Sequence, residues 1–188
     1  MKQILLAVFC CLIVEAQAEE TAGTPGVRNM KTLVVYYSLT GKTHVVAQTL
    51  AAELNADIRR VEDVEKPSVS WWFYVSAGFA AMRGTEGEIK PIDTSFQGYT
   101  RVIVGSPVWG GSPASPINAF ISRADFTGKD VILFMTMGGD DASGALKKMS
   151  EGIKKKGGTI VSSFAFSSRK STNEELAART REMAQHYR

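Results

Sequence analysis

Ser38-Leu39-Thr40-Gly41-Lys42-Thr43 sets three hydroxyls around a flexible glycine, between an apolar run and the start of a helical pattern. Those residue types at that spacing suit a phosphate. Successive backbone N–H groups and the positive end of the following helix attract an anion, and the hydroxyls of Ser38, Thr40 and Thr43 can donate to it. Capping of the helix by Thr40 or Thr43 is the plainer alternative, but a cap needs one hydroxyl rather than three. Gly41-Lys42-Thr43 would complete a nucleoside-triphosphate loop only with a glycine five residues before Gly41, where Tyr36 stands, and no G-x-G-x-x-G follows any apolar run. Hydrolytic chemistry has little support: the histidines are His44 and His186 alone, and G-x-S-x-G is missing. His44 is expected on a helix surface rather than as a general base. Asp140-Asp141 has no histidine or further acidic cluster beside it, which favours a helix-start role over metal binding.

The elements that must hold this loop are legible from Thr32 onward, where short β-rich apolar runs alternate with amphipathic stretches. That alternation predicts an α/β fold with a parallel sheet covered by helices on both faces. Strands are expected at Thr32 to Tyr37, Asp57 to Val61, Arg101 to Gly105, Val131 to Thr136 and Thr159 to Phe166. Helices are expected at Thr43 to Leu54, Pro116 to Arg123, Ala142 to Lys155 and Asn173 to His186, the first with Val46, Ala47, Leu50 and Leu54 as its apolar stripe. The last begins at a cap-like Ser171-Thr172-Asn173 followed by Glu174 and Glu175, which suit the positive end of a helix dipole. In such sheets ligands lie beyond the carboxyl ends of the strands where the strand order reverses, which directs attention to the loops after strands one, three and four.

A phosphate loop that relies on hydroxyls, with neither glycine pattern, points to flavin mononucleotide (FMN). Val34-Val35-Tyr36-Tyr37-Ser38-Leu39-Thr40-Gly41-Lys42-Thr43 resembles the flavodoxin signature, a hydrophobic strand leading into S/T-x-T-G-x-T. The resemblance runs from about Lys31 to Phe166. It implies a flavodoxin-like three-layer sandwich of strand order 2-1-3-4-5, FMN as cofactor, and a phosphate held by Ser38, Thr40, Gly41, Lys42 and Thr43, with Lys42 acting through its backbone amide. An unbroken fifth strand resembles the short-chain members.

By the same resemblance, the loop Gly105 to Pro113 packs on one face of the flavin ring. Trp109 is then the stacking candidate, with Pro107, Val108, Gly110 and Gly111 shaping the loop; the alternative makes Trp109 a core anchor. Met137, Gly138 and Gly139 follow strand four and are expected to close on the ring's other side. Flavodoxins often place a tyrosine there, and this chain has none, so that face is either open to a small substrate or covered from elsewhere. A long insertion containing Trp71-Trp72-Phe73-Tyr74 reads as a helix on the sheet, or as aromatics reaching a flavin or a hydrophobic acceptor such as a quinone.

The chain has 188 residues, one domain's worth, and its 44% hydrophobic and 22% charged residues are those of an ordinary globular protein. The net charge of +3 comes without a nucleic-acid motif, which argues against nucleic acid as a partner, and it departs from the acidic carriers of the family. Lys2, the apolar run Ile4 to Val14 and Ala16-Gln17-Ala18 read as an export signal over 1–18, followed by a polar lead over 19–29 and one domain over 30–188. Both cysteines, Cys10 and Cys11, fall within that signal, so its removal leaves no thiol chemistry, disulfide or cysteine-ligated metal. A cytosolic start at Met30 is the alternative. The expected function is FMN-based electron transfer with a redox partner protein or small hydrophobic acceptor, and the alternative is an FMN-dependent NAD(P)H:quinone or small-molecule oxidoreductase. A signalling receiver of the same topology would need acidic residues where Tyr37-Ser38 and Ser106-Pro107 stand.

Overall fold

The computed structural model describes residues 31–64 and 86–188. Strand β1 (Thr32–Tyr36) is buried at every position, and its side chains divide strictly by parity. Leu33, Val35 and Tyr37 enter one hydrophobic core, while Val34 and Tyr36 enter another on the opposite face. A strand packed on both faces cannot alternate apolar with polar, which is why the run from Leu33 to Tyr36 is apolar.

The remaining elements are α1 (Lys42–Glu53), β2 (Asp57–Arg60), β3 (Arg101–Trp109), β4 (Ser112–Pro113), α2 (Ser115–Arg123), β5 (Asp130–Met137), α3 (Ser143–Lys155), β6 (Thr159–Ser167), α4 (Asn173–Ala184) and a 3-10 turn at Gln185–Tyr187. Five strands form a parallel sheet in the order β2-β1-β3-β5-β6, which is the expected 2-1-3-4-5, and β4 adds a short antiparallel pairing to β3. Helices α2 and α3 cover one face through Ile117, Phe120, Met149 and Ile153. Helices α1 and α4 cover the other through Val46, Ala47, Leu50 and Leu176.

Two expectations need correction. The third strand does not end at Gly105; it runs four residues further, because Ser106 and Pro107 keep pairing with Met135 and Thr136 of β5 and Val108 and Trp109 pair with Pro113 and Ser112. The segment read as a loop is therefore the end of a strand and a hairpin, turned by Gly110 and Gly111 at φ of 55° and 71°. The last helix stops at Ala184, where the 3-10 turn takes over. Its start is the one the sequence suggested: Thr172 accepts from the Glu175 N–H at 3.1 Å, and the Glu175 carboxylate accepts from the Thr172 N–H at 2.9 Å. The fifth parallel strand is unbroken over nine residues, with one bulge opposite Val131 and Ile132. The aromatic insertion and the signal-like segment lie outside the described residues.

Candidate functional site

The carboxyl ends of β1, β3 and β5 lie side by side in the sheet, so the segments leaving them must share one end of the molecule. After β1 the chain is pinned before it turns. The Tyr37 N–H donates to the Gly105 carbonyl at 3.1 Å, and the Arg60 guanidinium donates to the Ser38 carbonyl at 3.1 Å. Ser38 is buried, and its hydroxyl accepts from the Gly41 N–H at 3.1 Å. Gly41 itself, at φ of 91°, is the N-cap of α1, a left-handed conformation that disfavours any side chain.

Neither Thr40 nor Thr43 caps the helix, so the plainer alternative for this loop does not hold. The first-turn N–H groups of α1 have no intrahelical partner, as at any helix start, and among the described residues no side chain caps them. The hydroxyls have separate fates. Thr40 is exposed and faces the site, whereas Thr43 is buried with its Oγ1 2.7 Å from the Thr136 Oγ1 on β5. Lys42 Nζ reaches away, donating to the Ser171 carbonyl at 2.8 Å and the Asn173 Oδ1 at 3.0 Å. Its ammonium thus ties the phosphate-type loop to the segment after β6, leaving its backbone amide as the group that could meet an anion.

A cavity of about 520 Å³ opens over this end, between Thr40 and Lys42 on one side and Pro107, Val108, Trp109 and Gly110 on the other. Thr136, Met137 and Gly138 form its third side, and Leu39, Ser168 and Arg169 complete it. Of the residues singled out from the sequence, Thr40, Lys42, Pro107, Val108, Trp109, Gly110, Met137 and Gly138 line it directly. Ser38, Gly41, Thr43, Gly111 and Gly139 belong to the same loops but do not line it. Trp109 meets Tyr37 edge to face, ring centres 5.6 Å apart, so one ring both lines the cavity and packs on the core. A partly buried brace holds the hairpin that carries it: Lys148 of α3 donates to the Ser112 hydroxyl at 2.6 Å, and the buried Ser106 hydroxyl accepts from the Ala114 N–H at 2.9 Å.

The donor set fits a flavin nucleotide. Uncapped N–H groups beside an exposed threonine suit its phosphate, and the flat Trp109 ring with glycine-bearing turns on either side suits a planar heterocycle. Among the described residues nothing lies within 4 Å of the Cβ positions of Gly41, Gly111, Gly138 and Gly139, so none of them crowds the approach.

Two groups beside the loop have shifted proton affinities. Burial, and then the Arg60 charge, hold the His44 imidazole below its usual value, and His44 Nδ1 meets the Tyr36 hydroxyl. Burial raises the Asp63 carboxyl against the opposing effect of the Tyr37 hydroxyl, which donates to it at 2.6 Å. Asp141 does serve the start of α3, accepting from the Ser143 N–H at 2.8 Å, while Asp140 stays exposed. Among the described residues no group of three or more histidine, cysteine or acidic side chains could hold a metal ion. Leu39 and Thr136 line the cavity from segments already under consideration, whereas Ser168 and Arg169 are lining residues from a segment that sequence reasoning missed. Both follow β6, and the topological rule was applied to the loops after strands one, three and four only.

The comparisons with known proteins agree with this geometry. Two solved candidate flavoproteins, from Bacteroides uniformis and Bacteroides eggerthii, superpose with TM-scores of 0.67 and 0.65 at 24% and 22% identity. Each match covers 83% of this chain, and 98% and 99% of the respective structure. A flavoprotein from Lactobacillus acidophilus solved in complex with FMN is similar over 72% of this chain and 93% of its own, with a TM-score of 0.63 at 22% identity. At such identities these likenesses establish the fold. No match was found among curated protein sequences. The family model described as flavodoxin matches residues 31–179, and the chain accordingly belongs to the flavodoxin family.

Proposed function

We propose that this protein binds FMN across the carboxyl ends of β1, β3 and β5 and works in electron transfer. The observation that carries the reading is the cavity of about 520 Å³ with a phosphate-type loop at one end and Trp109 at the other. Bound FMN supplies one- and two-electron redox chemistry, and the protein's part is to hold, orient and shield it. Thr40 and the first-turn amides of α1 take the phosphate, while Trp109 and the Met137-Gly138 turn flank the ring. The Lys148–Ser112 hydrogen bond keeps the Trp109 hairpin from splaying.

Absorption spectra of the purified protein during stepwise reduction, with and without added FMN, test the assignment. A preparation that takes up no FMN defeats it. The sharper variant is Thr40→Ala, because Thr43 is committed to Thr136 and its loss would disturb the core as well. Removing one hydrogen bond to a charged phosphate costs about 1.5–3 kcal/mol, so Thr40→Ala is expected to weaken FMN binding roughly tenfold or more. Unchanged affinity would remove Thr40 from the site.

The second reading, an FMN-dependent NAD(P)H:quinone or small-molecule oxidoreductase, draws on the Met137 side of the cavity, where no aromatic among the lining residues covers the ring position. Stopped-flow mixing with NADH or NADPH, with and without a quinone, separates it from a pure carrier: rapid turnover without a partner reductase favours the oxidoreductase. The electron partner is a protein or a small hydrophobic acceptor, and nucleic acid has no part in the reading. A working protein outside the cytoplasm is the reading that the signal-like segment over 1–18 supports, and a native chain found to begin at Met30 would overturn it. Among the described residues no helix is long and apolar enough to cross a membrane.

A further inference from the structure

Beside the flavin cavity lies a second one of about 370 Å³, lined by Gly138, Asp140, Ser167, Arg169, Lys170, Ser171 and Arg179. The two share Gly138 and Arg169, so the second opens along the edge of the first rather than elsewhere on the surface. Its volume falls in the range of about 300–1,000 Å³ usual for organic ligands, larger than a single oxyanion requires.

Its charge is one-sided. Arg169, Lys170 and Arg179 surround it against the one carboxylate of Asp140, and among the described residues none of the three cations forms an ion pair. The cations are also partly ordered. The Arg179 guanidinium rests over the Phe166 ring, 4.7 Å from its centre, which gives it an aromatic packing partner. The backbone that carries Arg169 and Lys170 is fastened at both ends: the Ser168 N–H donates to the Met137 carbonyl at 2.7 Å, and Ser171 is held by its hydroxyl on the Ser167 carbonyl and by Lys42 on its own. Three cations without ion pairs, Arg169 and Lys170 on the fastened loop and Arg179 on α4, suit a ligand bearing more than one phosphate.

The geometry points to this second cavity as a subsite for the phosphates of a pyridine dinucleotide that approaches the flavin position. The inference rests on the FMN reading for the ligand's purpose, and on the cavity and its cations for the phosphates. Asp140 at the rim is the one group whose charge opposes them, and this gives the proposal a sign-specific control.

Equilibrium titration of the FMN-loaded protein with NADP+, NAD+ and inorganic pyrophosphate, followed by calorimetry, tests it. Lys170 and Arg179 lie outside the flavin cavity, so Lys170→Gln with Arg179→Gln is expected to weaken dinucleotide binding at least tenfold. Asp140→Asn is expected to tighten it a few-fold, a gain that loss of fold could not mimic. Dinucleotide affinity within twofold of the parent in the double variant overturns the proposal. So does pyrophosphate binding as tightly as both dinucleotides, which would mark a general anion patch. A protein that takes up no FMN but still binds dinucleotide through Lys170 and Arg179 defeats the flavin assignment and keeps the subsite. One that binds FMN and neither dinucleotide does the reverse.

Discussion

At the scale of single residues, the phosphate-type loop shows that a motif can be read correctly in type while its members divide the labour. Ser38, Thr40 and Thr43 look equivalent in the sequence, yet one holds the loop, one faces the cavity and one ties α1 to β5. Spacing along a strand-to-helix turn says which hydroxyls are near an anion. Only the packing behind the turn says which are already engaged. His44 illustrates the same gap, since nothing in the sequence joins it to Tyr36 and Arg60 eight and sixteen residues away. Burial and the Arg60 charge both disfavour its protonated form, so the folded protein binds that proton less readily than the unfolded chain. The sign follows from linkage: this contribution to stability is fully present above the ordinary value of 6.5 and is lost as pH falls below it toward the lowered folded value. An NMR titration of the His44 ring is expected to show a midpoint below 6.5, and Arg60→Gln is expected to move it upward. A midpoint at or above 6.5 in the parent protein would contradict the placement of the ring.

At the scale of elements, the strands and helices were legible because their periods are unmixed. Buried runs such as Leu33 to Tyr36 and helical stripes such as Val46, Ala47 and Leu50 each have one interpretation. The error at the third strand has a physical cause. Glycine and proline normally punctuate, and Gly105-Ser106-Pro107 invites a break. Here the proline continues a strand, and the glycine answers to a ring: a Cβ at Gly105 would lie 2.0 Å from Phe134 Cζ, with the neighbouring ring atoms at 2.2 and 2.7 Å. Phe134 in turn stacks on Phe164, their centres 5.9 Å apart, so it has little room to retreat. The glycine exists because another strand's side chain crosses over it. Gly105→Ala is therefore expected to destabilise the fold by about 1–3 kcal/mol through overpacking, measured by urea unfolding. A loss below a few tenths would mean that Phe134 can move aside. Because β3 ends at Trp109, the same variant is expected to disturb the cavity as well as the core.

At the scale of the whole molecule, topology converts local patterns into a site. Strand order 2-1-3-4-5 brings the ends of β1, β3 and β5 together, and the loops chosen from the sequence on that rule do line one cavity. What the rule left out was the segment after β6, which emerges beside Met137 because β6 pairs with β5, and which Lys42 and Met137 then hold through Ser171 and Ser168. No local pattern announces the link from Lys42 to Ser171, 129 positions apart. A ligand bound there touches loops from four parts of the chain, so its binding should be felt by the fold as a unit. If FMN binds the folded protein alone, mass action stabilises it by about 2.7 kcal/mol at a hundred times the dissociation constant. For a domain of this size each 1 kcal/mol raises the melting temperature by roughly 2–4 °C, which gives an expected shift of about 5–10 °C. Riboflavin lacks the phosphate and is expected to give a clearly smaller shift at equal concentration. Differential scanning calorimetry with the two ligands measures the difference, and equal shifts would remove the phosphate loop from the binding site while leaving the ring end of the cavity in place.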